Sequence, residues 1–74
     1  MRVRIANILP KDNFNVIGKL ADVSENDIVI GYPLMLVLED DEVVLTSKIK
    51  DIQYEYGRGI ITTYNSVYYL DPID

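Results

Sequence analysis

Residues Ile60 to Pro72, Ile-Ile-Thr-Thr-Tyr-Asn-Ser-Val-Tyr-Tyr-Leu-Asp-Pro, constrain this chain more than any other stretch. β-Branched and aromatic residues flank a polar Asn65-Ser66 step, the pattern of two short strands joined by a tight turn. In the second strand Val67 and Tyr69 face one way and Tyr68 and Leu70 the other, so both faces are apolar. A terminal strand of this kind needs cover on both faces and a partner for its backbone edge. A neighbouring subunit supplies both in the simplest arrangement. Ile60, Ile61, Thr62, Val67, Tyr68, Tyr69 and Leu70 are therefore expected at a subunit interface.

Length points the same way. A chain of 74 residues is expected to form one domain, residues 1–74, and buries only about 60% of its unfolded surface. Small domains lean on disulfides, metals or oligomerisation. The chain has no cysteine and no histidine, which removes disulfides and the usual zinc ligands and leaves oligomerisation.

No convincing amphipathic helix is present. Val3 and Ile5 alternate with Arg2 and Arg4, as in a half-buried strand, and Pro10-Lys11-Asp12-Asn13 reads as a turn. A second segment spans Phe14 to Val23, with Phe14, Val16 and Leu20 on one face and Gly18 permitting a bend. Ser24 to Asp27 reads as another turn. In the third segment, Ile28, Ile30, Leu34, Leu36 and Leu38 share one face and Val29, Met35 and Val37 the other, with Pro33 marking an edge or kink. Core is expected on one side of it and a partner on the other.

The fourth segment holds the sharpest local clue. Val43, Leu45, Ser47 and Ile49 share odd parity, while Ile52, Tyr54 and Tyr56 share even parity. A regular strand cannot change its inward face, so a β-bulge or bend is expected near Lys50-Asp51. Gly57-Arg58-Gly59 reads as a hairpin turn. Together these segments predict an all-β fold: a small, strongly bent barrel of about five to six strands.

Composition narrows function mostly by exclusion. The longest apolar run, Leu34 to Leu38, has five residues, far short of the ~20 that cross a bilayer. No membrane association is expected. No secretory leader is apparent, and a cytoplasmic location is expected. The net charge is −5, from twelve acidic and seven basic side chains, which makes non-specific DNA binding unlikely. Without His or Cys, a serine nucleophile would need a Lys or a carboxylate as its base, and Ser47 and Lys48, adjacent on a strand, point to opposite faces. No enzyme activity and no cofactor are expected. Glu39-Asp40-Asp41-Glu42 reads as a solvated hairpin tip, since calcium loops space their oxygens at alternate positions around a glycine. No metal site is expected. Thr46, Ser47, Thr62 and Thr63 fit cross-strand pairing better than a hydroxyl-lined ligand site.

Two resemblances add to this. Ile60-Ile61-Thr62, Asn65-Ser66, Val67 to Leu70 and Asp71-Pro72 resemble the second motif of the Sm-like proteins. Gly18-Lys19-Leu20 and Met35 to Asp40 resemble parts of the first motif. The resemblance implies an Sm-like barrel in a closed ring of about five to seven identical subunits, joined by heterologous contacts. Val67 to Leu70 of one subunit would extend the sheet of the next near Ile60 to Thr63. It also implies RNA or nucleotide binding at loops on one ring face, with Tyr32, Thr63, Tyr64, Asn65 and Ser66 as candidate contacts. Leu36 stands where the family's RNA-binding Asn is expected, and Thr63-Tyr64 where its Arg-Gly is expected. Leu45 to Ile49, with Thr62, Asn65-Ser66 and Tyr68 downstream, is also similar to short bacteriophage proteins, some of them Sm-like barrels. A rival function is an acidic protein-interaction or inhibitory module that does not bind RNA.

Overall fold

The structure is a computed structural model that describes residues 1–10 and 14–73. Six antiparallel strands close into a barrel: β1 (Arg2–Leu9), β2 (Leu20–Asp22), β3 (Pro33–Leu38), β4 (Val43–Glu55), β5 (Arg58–Thr63) and β6 (Val67–Pro72). Each strand pairs with its neighbour in sequence, and β6 returns to β1. Short 3-10 turns at Phe14–Val16 and Glu25–Asp27 precede β2 and β3. The all-β barrel expected from the sequence is thus the fold. The turn expected at Pro10–Asn13 lies, beyond Pro10, outside the described residues.

Alternation builds the core. Val3 and Ile5 of β1, Leu34, Leu36 and Leu38 of β3, Ile61 of β5, and Tyr68 and Leu70 of β6 all point inward and are buried. Pro33 is the first residue of its strand, where a missing N–H costs no ladder bond. β4 is the longest strand, and it must wrap around a narrow barrel. It does so with register breaks between its pairings to β3, at Pro33/Met35, and to β5, at Ile49/Asp51. The second break falls at Lys50-Asp51, as the parity change predicted. The β4–β5 hairpin turns at Tyr56-Gly57, both with positive φ (51° and 78°). That two-residue geometry matches the twist of the flanking strands.

The structure corrects several local readings. Val43 and Leu45 point outward, while Val44 and Thr46 face in. Three consecutive apolar residues, Val43 to Leu45, make parity ambiguous, and here a threonine goes inside and a leucine outside. Tyr54 and Tyr56 are exposed as well. The second segment is not a continuous strand: Val16 sits in a 3-10 turn, Gly18 adopts φ 91°, and Ala21 and Val23 face the core in place of Leu20. Ile28 and Ile30 lie before β3 and outside it.

The pairing of β6 bears on the strand addition expected at the subunit seam. β6 pairs with β5 on one side, through Gly59↔Leu70 to Thr62↔Val67, and with β1 on the other. No backbone edge of β5 or β6 is left open for strand addition. Ile61, Tyr68 and Leu70 are core residues, and Ile60, Thr62, Val67 and Tyr69 are half-buried on the outer face. One apolar face of β6, Tyr68 and Leu70, is covered by the chain's own core, and the other, Val67 and Tyr69, lies on the outside. Burial pushes the Tyr68 phenol above its ordinary value of 10.0.

Outside the barrel, Arg58 Nε and Nη2 donate to the two Asp71 carboxylate oxygens at 2.6 and 3.0 Å. This paired geometry holds the Asp71 carboxyl below its ordinary value of 3.8, chiefly through the Arg58 hydrogen bond. A lowered folded-state value means the pair stabilises the fold above pH ~4 and loses that contribution as pH falls through Asp71's own value. The side chains are partly solvated, so the effect is modest. Asp71→Asn is expected to lower the melting temperature slightly at pH 7 and to leave it nearly unchanged at pH 2. Equal losses at both pH values would contradict this origin.

Candidate functional site: the outer face of β3 and β4

Strand alternation places Pro33, Met35 and Val37 of β3 on the outside, opposite Lys48, Leu45 and Val43 of β4. The register break near Thr46-Ser47 lets Lys48 resume an outward position. The face is apolar where a solvated sheet would be polar. Leu45 is 67% exposed, and Met35 and Val43 are exposed beside it. Val29 and Tyr32 extend the surface, and with Pro33 and Met35 they line a groove of about 430 Å³ next to Asn26 and Asp27.

One end of this face is acidic, and the other carries Lys48 and Lys50 with Asp27 of the groove near them. Past Val37 and Val43 lies the acidic turn Glu39 to Glu42, all exposed. There Asp40 accepts from Lys19 Nζ at 3.0 Å and from the Glu42 N–H at 3.3 Å. At the far end lie Lys48 and Lys50. The ion pairs among the described residues join Arg2 to Asp22, Lys19 to Asp40 and Arg58 to Asp71. Neither Lys48 nor Lys50 takes part in them.

The candidate RNA contacts separate into two groups. Tyr32 and Tyr64 are exposed (64% and 68%) and gather at the basic end. The Ile49 N–H donates to the Tyr32 carbonyl at 3.0 Å, and the Tyr64 N–H donates to the Lys48 carbonyl at 3.1 Å. One short piece of β4 thus carries a tyrosine on each flank. The Lys50 ammonium lies 5.5 Å from the centre of the Tyr64 ring, within cation–π range. Asn65 joins this end, its N–H donating to Ser47 Oγ at 3.0 Å.

Thr63 and Ser66 serve the turn instead. Thr63 Oγ1 donates to the Ser66 carbonyl at 3.0 Å and accepts the Ser66 N–H at 3.1 Å. Thr63 is buried with its hydroxyl committed, so it offers a ligand nothing. Leu36, where the Sm-like resemblance expects an Asn, is completely buried. The side chains that sequence reasoning passed over as contacts are Lys48, Lys50, Val43 and Leu45. The two lysines showed in the sequence only as spacing around Ile49. That they are flanked by Tyr32 and Tyr64 depends on pairing between distant segments.

A second concavity opens at one barrel end, about 550 Å³ and lined mainly by Val3, Ile28, Ile52, Ile61 and Leu70, with Glu25 at its edge. Its walls are mostly apolar, Tyr54 among them, and present no set of converging polar groups. No three or more carboxylates among the described residues gather in a way that could hold a metal ion. No helix among them is long and apolar enough to cross a membrane.

The class defined by this architecture is a closed six-stranded antiparallel barrel with an exposed apolar sheet face. No family model matches the chain, and neither a curated protein nor a solved structure matches it.

Proposed function

We propose that this chain is a non-enzymatic docking module that binds a protein through the outer face of β3 and β4. One observation carries the reading: Met35, Val43 and Leu45 stand exposed side by side on a regular sheet face, in a chain whose own core is complete without them. Contiguous exposed apolar surface rimmed by polar groups marks interaction sites. The interaction-module reading of the acidic composition is favoured over the ring, because the closed barrel leaves the seam strands no edge to share. A photo-crosslinking residue at position 45 is expected to yield protein adducts in cells, whereas one at position 60, on the outer face of β5, yields none. Equal labelling from both positions would count against this face.

A second reading rests on Tyr32 and Tyr64 flanking Lys48. Aromatic rings beside cations are the platform on which single-stranded nucleic acid stacks, and this keeps the nucleotide-binding expectation of the Sm-like resemblance in play. Its contacts are Tyr32, Lys48, Lys50, Tyr64 and Asn65, without Thr63 and Ser66. The chain has six tyrosines and no tryptophan, so tyrosine fluorescence can follow a titration with oligo-U or oligo-A. Two phosphate contacts predict a slope of log K on log salt of about −1.4. Tyr64→Ala is expected to cost about 1–3 kcal/mol of binding. Absence of any fluorescence change at low salt would remove this reading and leave the first intact.

A further inference from the structure

The docking face has a layout that selects its own partner. Between Pro33↔Lys48 and Val37↔Val43 lie four residue steps of β3, about 13 Å at strand rise. Met35 and Leu45 sit at the middle of this ladder, Lys48 and Lys50 lie at one end, and Glu39 and Glu42 lie at the other. From this we infer that the face docks a second copy of the same chain across a two-fold axis parallel to the Met35–Leu45 cross-strand direction. The inference rests on the docking reading above and names the partner of that face.

The symmetry does the work. A two-fold along that direction brings Met35 and Leu45 of each copy against the same residues of the other. It also turns the strands end for end, so the lysines of one copy meet the acidic turn of its partner, twice. Such an interface is isologous: one patch serves both subunits. Any arrangement that stacked like ends would add turn-to-turn repulsion to the −5 charge each chain already carries. The antiparallel pairing is the one that converts the charge pattern into attraction, and charge pattern fixes register more than it adds affinity. The apolar centre has few side chains, well short of a standard interface, so a weak dimer with Kd between about 10 µM and 1 mM is expected.

The experiment is sedimentation equilibrium of the whole chain from micromolar to millimolar concentration. The expected mass climbs from 8.5 kDa towards twice that value, and Leu45→Glu holds it at the monomer. Charge reversal then tests the orientation. One variant carries Lys48→Glu with Lys50→Glu, and the other carries Glu39→Lys with Glu42→Lys. Asp41 is left alone because its φ of 66° would strain a lysine. Each variant alone should dimerise at least about tenfold more weakly than the parent. Mixed together they should pair, since every end then meets its opposite. A monomer at millimolar concentration overturns the inference, as does a mixture that pairs no better than its components. An apolar dye separates that failure from failure of the docking reading. A monomer that binds the dye, and loses it on Leu45→Glu, keeps a sticky face without a second copy. A monomer that binds none loses both.

Discussion

Leu36→Asn is expected to leave the barrel largely unfolded at 25 °C. The substitution introduces the residue that the Sm-like resemblance expects at this position, and it is the severest single change we foresee. Leu36 is fully buried, among Leu34, Leu38, Ile5 and Ile61 in one continuous core. Losing a buried leucine side chain costs about 2–5 kcal/mol through transfer and cavity terms. An amide left without partners in that setting adds about 1–3 kcal/mol. A small domain has about 5 kcal/mol to lose in total. Circular dichroism and urea unfolding measure the outcome. A cooperative transition within about 1 kcal/mol of the parent would mean that position 36 reaches solvent, and that the inward face of β3 is misassigned.

Thr46→Val should destabilise the fold by about 1–3 kcal/mol, although valine matches threonine in shape. Thr46 Oγ1 accepts the Leu34 N–H at 2.9 Å and donates to the Ser47 carbonyl at 2.7 Å. It lies where the β3–β4 register breaks, between Pro33↔Lys48 and Met35↔Leu45. The break leaves the Leu34 amide without a ladder partner, and the hydroxyl takes that place inside the barrel. Valine removes the acceptor and strands a buried donor. Faster amide exchange at Leu34, together with a lower urea midpoint, is the expected signature. Protection at Leu34 equal to the parent's would show that the amide finds another acceptor. Because Thr46 anchors the bend that returns Lys48 to the outer face, the same variant should also weaken whatever binds there.

Parity was the readable layer of this fold. Val3 and Ile5 announced their inward face by alternating with Arg2 and Arg4, whereas the unbroken apolar run Leu34 to Leu38 left its inward face to the tertiary structure. The bulge at Lys50-Asp51 was legible because a strand cannot exchange faces without one. Val43 to Leu45 was not legible, since apolar residues at consecutive positions carry no phase. The hydroxyl of Thr46 went inside because a broken ladder needed an acceptor, and no composition rule anticipates that. The Thr63 hydroxyl looks like a ligand group in a list of residues, yet it is committed to the Ser66 backbone across the β5–β6 turn.

The sequence by itself determined that the chain makes strands, where most of them turn, and which residues of β1 face inward, because those follow from side-chain alternation and turn chemistry within a few residues. Only the tertiary structure decided what lies beside the last strand. Ile60 to Pro72 demanded a partner for its edge, and a neighbouring subunit and the chain's own β1 satisfy backbone hydrogen bonds equally well. Closure on β1 is a contact between the two ends of the chain. It moved the expected site of association from a strand edge to the exposed face of β3 and β4.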